Sequence, residues 1–260
     1  MKQLLFGSLA LLSSVTCAAQ TMSGLCMIAA SQSADKPPAM QIMLSESNCE
    51  KNNESCTEMS HSNFEWKGWS GISPQSLQEE GSQVSAHRTG DAGDLVCEGV
   101  VHDATLAGRF RFNASPSFAA SMAAIGFDGI TPHKQLSFLM LDVNLAWVKQ
   151  MQLLGVTELS TNKLISLRAL HVDAEYIHAM AAAGYPELRA SKLTEMKAVG
   201  VTPEKAREAK AMGFQPTEQE LTQMSIFKID KPFVDRMRSR GLSDLTLAKL
   251  IKIKIFKLEE

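Results

Sequence analysis

The side chains of this 260-residue sequence with the clearest chemical potential are its five cysteines, six histidines and fourteen methionines. Cys17 lies near the N-terminus, and Cys26, Cys49, Cys56 and Cys97 follow within the first hundred residues. In an exported chain an even number of cysteines favours disulfides. Cys49 and Cys56 bracket a polar loop, Glu50–Ser55, that has little else to hold it. A bridge there leaves Cys26 to pair with Cys97. The rival reading is a metal site. Met40, Met43, Cys49, Cys56, Met59 and His61 form a soft-ligand mixture suited to copper(I). Their spacing matches no zinc pattern, so the expectation is no metal and no other cofactor.

The histidines offer less. His87, His102 and His133 lie in separate segments with no nucleophile beside them in sequence. His171, Asp173, Glu175 and His178 cluster, but they straddle a turn and suit a surface role. There is no Gly-x-Ser-x-Gly elbow and no phosphate loop. No catalytic residue is therefore expected. A net charge of -2 argues against nucleic acid as a partner.

Residues 1–19 have the form of a secretory signal: Lys2, an apolar run from Leu4 to Leu12, then Cys17-Ala18-Ala19 before Gln20. The run is too short to span a bilayer. Ser14 and Thr16 suit a lipid-modified Cys17 poorly. The mature chain is expected to be exported, periplasmic or secreted, without a transmembrane segment.

The elements that must position these residues fall into two regions. From about residue 115 the chain repeats itself. Gly126, Gly155, Gly184, Gly213 and Gly241 recur every 29 residues, one step being 28. Met122, Met151, Met180 and Met237, with Ala209 in the remaining slot, keep the same phase. Leu164, Leu193, Leu221 and Leu250 form a second register, and Val143, Val172, Val201, Ile229 and Leu258 a third. Each unit reads as two short helices. Asn144, Asp173, Thr202 and Asp230 are equivalent N-caps of the first helix. The glycine ends that helix in a left-handed conformation. Thr131, Ser160, Thr217 and Thr246 suit the cap of the second helix, Thr217 with Glu220 as a capping box. Arg189, in the same slot, does not. Gly81, in the loop before Val84, is expected to accept alanine more readily than the repeat glycines.

Residues 20–114 read as a small antiparallel β-domain, because the apolar pattern shortens toward period two, as in Arg109-Phe110-Arg111-Phe112. Other strand candidates are Leu25–Ala29, Met40–Ser45, Phe64–Trp69, Val84–His87 and Leu95–Val101, with a short helix over Ser73–Glu80. The expected fold class is thus α+β: a β-domain over 20–114, then an all-α array of about five two-helix repeats over 115–260.

One likeness is visible in the order of segments: Trp69–Gly71, the turn Asp91–Gly93, the strand Gly108–Phe112, then helical repeats with Gly200–Glu204. This resembles the soluble extracytoplasmic region of some membrane proteins of the BlaR/MecR-type antirepressor family, and related stand-alone secreted proteins. Those motifs are structural. The family's His-Glu-x-x-His zinc motif and membrane domain are absent from this sequence, so no catalytic residue carries over. The resemblance implies an exported accessory or sensory module. The expected function is non-catalytic binding of another envelope protein. The alternatives are an enzyme or ligand sensor with a site where the β-domain meets the first repeat, and a copper-binding protein.

Overall fold

The computed structural model describes residues 21–33, 36–47, 58–186 and 189–258. The signal segment, the Cys49–Cys56 pairing and Cys17 lie outside the described residues.

Among the described residues seven strands form one antiparallel sheet: β1 (Thr21–Ser33), β2 (Lys36–Glu46), β3 (Glu58–Phe64), β4 (Trp69–Ser70), β5 (Gln83–Gly90), β6 (Gly93–His102) and β7 (Thr105–Ala114). The order across the sheet is β3-β2-β1-β7-β6-β5-β4. Period-two alternation sends Met22, Cys26 and Ile28 inward and leaves Ser23, Leu25 and Met27 outside, as a half-buried strand requires. Met40 and Ile42 of β2, and Phe110 and Phe112 of β7, face the same buried side. The segment Phe64–Trp69 is not one strand: β3 ends at Phe64 and β4 starts at Trp69. Over Ser73–Glu80 there is only a 3-10 turn, Ser76–Gln78. There the Ser73 hydroxyl accepts from the Ser76 N–H at 3.1 Å, and the Ser76 hydroxyl accepts from the Ser73 N–H at 2.9 Å. These local bonds satisfy the backbone and compete with a longer helix.

Cys26 and Cys97 form a disulfide whose Cα atoms are 6.2 Å apart. They belong to β1 and β6, with β7 between. In a flat sheet strands two places apart are roughly 9.5 Å apart, so the sheet must curl toward its buried face here. Gly108 of β7 stands opposite Cys26 on one side and Gly99 on the other. A Cβ at Gly108 would come within 2.0 Å of the Glu98 carbonyl oxygen. Glycines at this crossing let the backbones bend closely past one another.

Among the described residues ten helices follow: α1 (Pro116–Ala123), α2 (Pro132–Met140), α3 (Leu145–Leu153), α4 (Thr161–Ala169), α5 (Ala174–Ala182), α6 (Ala190–Ala198), α7 (Pro203–Ala211), α8 (Glu218–Ile226), α9 (Lys231–Ser239) and α10 (Leu247–Ile255). Odd-numbered helices are the first helix of a unit and even-numbered ones the second. The side chains of Asn144, Asp173, Thr202 and Asp230 each accept a bond from the backbone N–H three residues on. Ser115 does the same at the first unit. Gly126, Gly155, Gly184, Gly213 and Gly241 all have positive φ, between 76° and 95°. Arg189 makes no side-chain cap. Instead the Ala190 N–H donates to the Thr157 carbonyl of the preceding unit at 2.9 Å. Gly81 also has φ +76°. An alanine there is strained like one at a repeat glycine, contrary to the sequence expectation.

A second left-handed series closes each second helix: Asp142, His171, Gly200, Lys228 and Lys257, with φ between 50° and 73°. Just after it, Val143, Val172, Val201 and Ile229 are buried, together with Val148, Ile177, Ala206 and Val234 five residues on. That is the spacing of a hydrophobic staple across each N-cap. Leu258, the next member of the series, is exposed at 67%.

The units stack. The second helices pack in the sequence α2, α4, α6, α8, α10, and among the first helices α1 packs on α3 and α5 on α7. Helix α2 also packs on β5, β6 and β7. The last strand ends at Ala114, the first helix begins at Pro116, and one apolar core runs unbroken from Met22 to Ile251.

Candidate functional site

The most built-up polar arrangement lies where the sheet meets the array. Arg88 of β5 reaches the C-terminal end of α2, where its Nε donates to the Leu139 carbonyl at 3.0 Å. Its terminal nitrogens donate to the carbonyls of Met140 and Lys67, each at 3.4 Å. The carbonyls of a helix's last turn lack partners within the helix and carry partial negative charge, so an arginine there is doubly favourable. From the turn after β5, Asp91 accepts from the Leu145 N–H at 3.0 Å, at the start of α3. An anion at a helix N-terminus is the complementary pairing. One hairpin thus offers a cation to the end of one helix and an anion to the start of the next.

Three more contacts fasten this seam. His133 Nε2 lies 3.0 Å from Glu46 Oε2, joining α2 to β2. The buried Gln135 accepts from the Ser115 N–H at 2.7 Å. The Ser115 N–H also donates to the Ala92 carbonyl at 3.1 Å. Burial lowers the pKa of Arg88, while nearby Asp142 acts in the opposite direction.

Beside the seam is a cleft of about 700 Å³, lined among others by Arg88, Asp91, Asp142, Asn144, Arg168 and His171. Arg168 of α4 donates from Nε to the Leu141 carbonyl at 3.1 Å and pairs with Asp142 at 2.9 Å. The two arginines sit over indole rings, Arg88 over Trp69 at 5.8 Å and Arg168 over Trp147 at 5.4 Å. Among the described residues Trp69 Nε1 and Trp147 Nε1 are buried without a hydrogen-bond partner. The walls are of mixed charge and hold their own cations, so the cleft can orient a small polar ligand. It presents no nucleophile paired with a base.

The structure separates the other sequence candidates. Met40 and Met59 are buried in the core, whereas Met43 is on the opposite, exposed face of the sheet. Period two thereby splits the soft-ligand set. Cys49, Cys56 and the side chain of His61 lie outside the described residues. His87 Nε2 lies 2.8 Å from Ser85 Oγ, and that hydroxyl donates to Glu98 at 3.2 Å. In a serine relay the carboxylate must hold the imidazole; here it holds the serine. His102 bonds Glu80 at 2.5 Å and lies 3.5 Å from Asp103, all three exposed. His171 occupies a left-handed turn and lines the cleft, and Asp173 caps α5.

Sequence reading missed a second recurring feature. Trp147 with Arg168, Tyr176 with Lys197 and Phe233 with Lys254 each place a cation over an aromatic ring. Each pair is separated by 21 residues, so the signal was present in the sequence. In the fourth unit Lys205 and Ile226 fill these two slots, and Lys205 instead donates to the Gly200 carbonyl at 2.8 Å and Ser225 at 3.1 Å.

No protein-family model matches the chain, and neither the curated proteins nor the solved structures contain a match to it.

Proposed function

We propose that the chain is an exported, non-catalytic binding module whose partner is another protein of the cell envelope. The observation that carries this reading is the array itself. Units repeated in phase expose equivalent positions along a continuous surface, the usual basis of partner recognition by stacked-repeat proteins. The Cys26–Cys97 disulfide fits an oxidising compartment. Among the described residues no helix is long and apolar enough to cross a membrane. The likeness to extracytoplasmic regions of BlaR/MecR-type proteins supports a sensory or accessory role. The test is affinity capture from solubilised envelope with the exported protein as bait. The expected result is a reproducible partner that excess free protein competes away. Absence of any such partner, together with reproducible turnover in a hydrolase screen, would overturn the reading.

A second reading rests on the cleft at the seam. A polar ligand seated among Arg168, Asp142 and His171 would bridge the sheet and the first repeats, turning the module into a ligand sensor. It predicts a small molecule that raises the melting temperature of the wild type but not of Asp142→Asn.

A further inference from the structure

Methionine is spread through the chain, and burial divides its copies sharply. Of the fourteen, thirteen lie among the described residues. Eleven of those are buried, none more than 8% exposed. The other two are Met27, at 46%, and Met43, at 47%. They are not scattered. Met27 of β1 stands directly opposite Met43 of β2 in the antiparallel register. Both point to the outer face of the sheet, since their neighbours Cys26, Ile28, Ile42 and Leu44 are buried. Opposed residues on one face of such a pair have Cβ atoms roughly 5 Å apart, so the two thioethers share one patch of surface. On their other sides stand Ala107 of β7, beside Met27, and Ser60 of β3, beside Met43. Both are too short to cover a sulfur. The solvated face of an antiparallel sheet is ordinarily polar. A core methionine fills irregular gaps, but these two fill none. Residues 21–31 and 39–45 hold no charge at all, so the two sulfurs are the most reactive groups of this patch.

Access decides the chemistry open to a thioether. Two-electron oxidants convert it to a sulfoxide, which is polar. In the core the added oxygen would be buried without a partner and would destabilise the fold. On the outer face water solvates it, and the backbone pairing of β1 with β2 is untouched. We propose that Met27 and Met43 form a paired oxidation site, at which hydrogen peroxide converts the two exposed thioethers to sulfoxides while the eleven buried methionines stay reduced. At each residue a sulfur lone pair attacks one peroxide oxygen. An S–O bond forms as the O–O bond breaks, and the sulfur is oxidised by two electrons. The other oxygen takes the electron pair and the proton of the transferred oxygen and leaves as water. Methionine sulfoxide reductases reverse the change. The site consumes two peroxide molecules per chain and leaves the helical array free for its partner, so it gives the sheet a role separate from binding.

The test treats the full exported chain, its disulfide intact, with hydrogen peroxide and follows every methionine by peptide mass spectrometry. Met27 and Met43 should each take up one oxygen atom, roughly tenfold faster or more than any buried methionine. The doubly oxidised chain should melt like the untreated one. A mixture of reductases for the two sulfoxide epimers should restore the original mass. Met27→Leu with Met43→Leu changes only outward side chains, so it should melt like the wild type and lose the fast phase. If that variant does not fold, the wild-type rates decide alone. Oxidation spread evenly over the methionines, a fast phase that begins at a buried one, or a fast phase that survives in the double variant would overturn the proposal. So would slow oxidation of both sulfurs, as beneath a second copy or another segment. Chains recovered from the envelope of peroxide-treated cells should carry sulfoxide at the same two positions, and unmodified Met27 and Met43 there would also overturn it.

Discussion

The sheet and the array solve the same stability problem by opposite means. In the sheet, residues far apart in sequence must meet: Thr21 bonds Asn113 across the β1–β7 pairing, 92 residues away. Closing loops that long carries an entropic penalty before any contact forms. The Cys26–Cys97 bridge, joining residues separated by 71 positions, relieves part of it covalently. The array never reaches so far. Gln152 bonds the Ile125 carbonyl, Lys210 the Ala183 carbonyl and Arg238 the Met212 carbonyl, each 26 or 27 residues back. Those three donors occupy one slot of the repeat. In the third unit the same slot is Ala181, which has no side-chain donor, and the buried hydroxyl of Tyr176 instead bonds the Val201 carbonyl at 3.1 Å. Burial pushes the Tyr176 pKa up to about 12. A long-range fold here carries a covalent tie, whereas a short-range one repeats a small polar tie.

The difference can be broken from either side. Cys26→Ala with Cys97→Ala should have the largest effect, about 4 kcal/mol in the chain-entropy picture for a loop of this length. Guanidinium unfolding followed by near-UV signals from the sheet should show it. Next comes Arg88→Met, which leaves the α2 carbonyls without their donor and should cost about 2 kcal/mol. It should uncouple the two regions, so that sheet and array probes no longer unfold together. Among the glycines the array sharpens its own comparison. Gly155→Ala meets only the left-handed strain, about 1 kcal/mol. Gly184→Ala should cost more, because its Cβ would lie 2.3 Å from Lys210 Nζ and displace the tie to the Ala183 carbonyl. Thermal melts of the pair would rank them.

The smallest effect is a pH dependence in the sheet. The hydrogen bond to His102 holds the Glu80 carboxyl below its ordinary value of 4.5, and the same bond raises His102 above 6.5. The carboxylate's contribution is present above its unfolded pKa and lost as pH falls through the lowered one. The imidazolium's is present below 6.5 and lost as pH rises through the raised value. The pair therefore helps only between those limits, and weakly, since both groups are exposed. An NMR titration should find the His102 pKa falling toward its ordinary value in Glu80→Gln.

Much of this was legible in the sequence, for physical reasons. The repeat could be read because glycine is the cheapest left-handed residue and Asn, Asp and Thr the best caps, so local backbone needs fixed residue types at fixed spacing. The second turn escaped notice because Asp142, His171, Lys228 and Lys257 adopt positive φ without being glycine. Strand β3, with the polar sequence Glu-Met-Ser-His-Ser-Asn-Phe, lacked the alternation that marked β1 and β7. It is an edge strand, and only one of its faces meets the core. The seam was illegible for a different reason. Arg88 and Asp91 find their partners more than 50 residues away, and no local pattern records such a pairing.

Hydrogen exchange along the array tests the central claim, that each unit is held by its neighbours. Native-state exchange of the isolated protein, read peptide by peptide, should find α2 to α6 most protected, because the seam and the stacked units hold them. Protection should fall through α7 and α8 to its lowest in α9 and α10. Protection of α10 equal to that of α4 in the isolated protein would contradict the account.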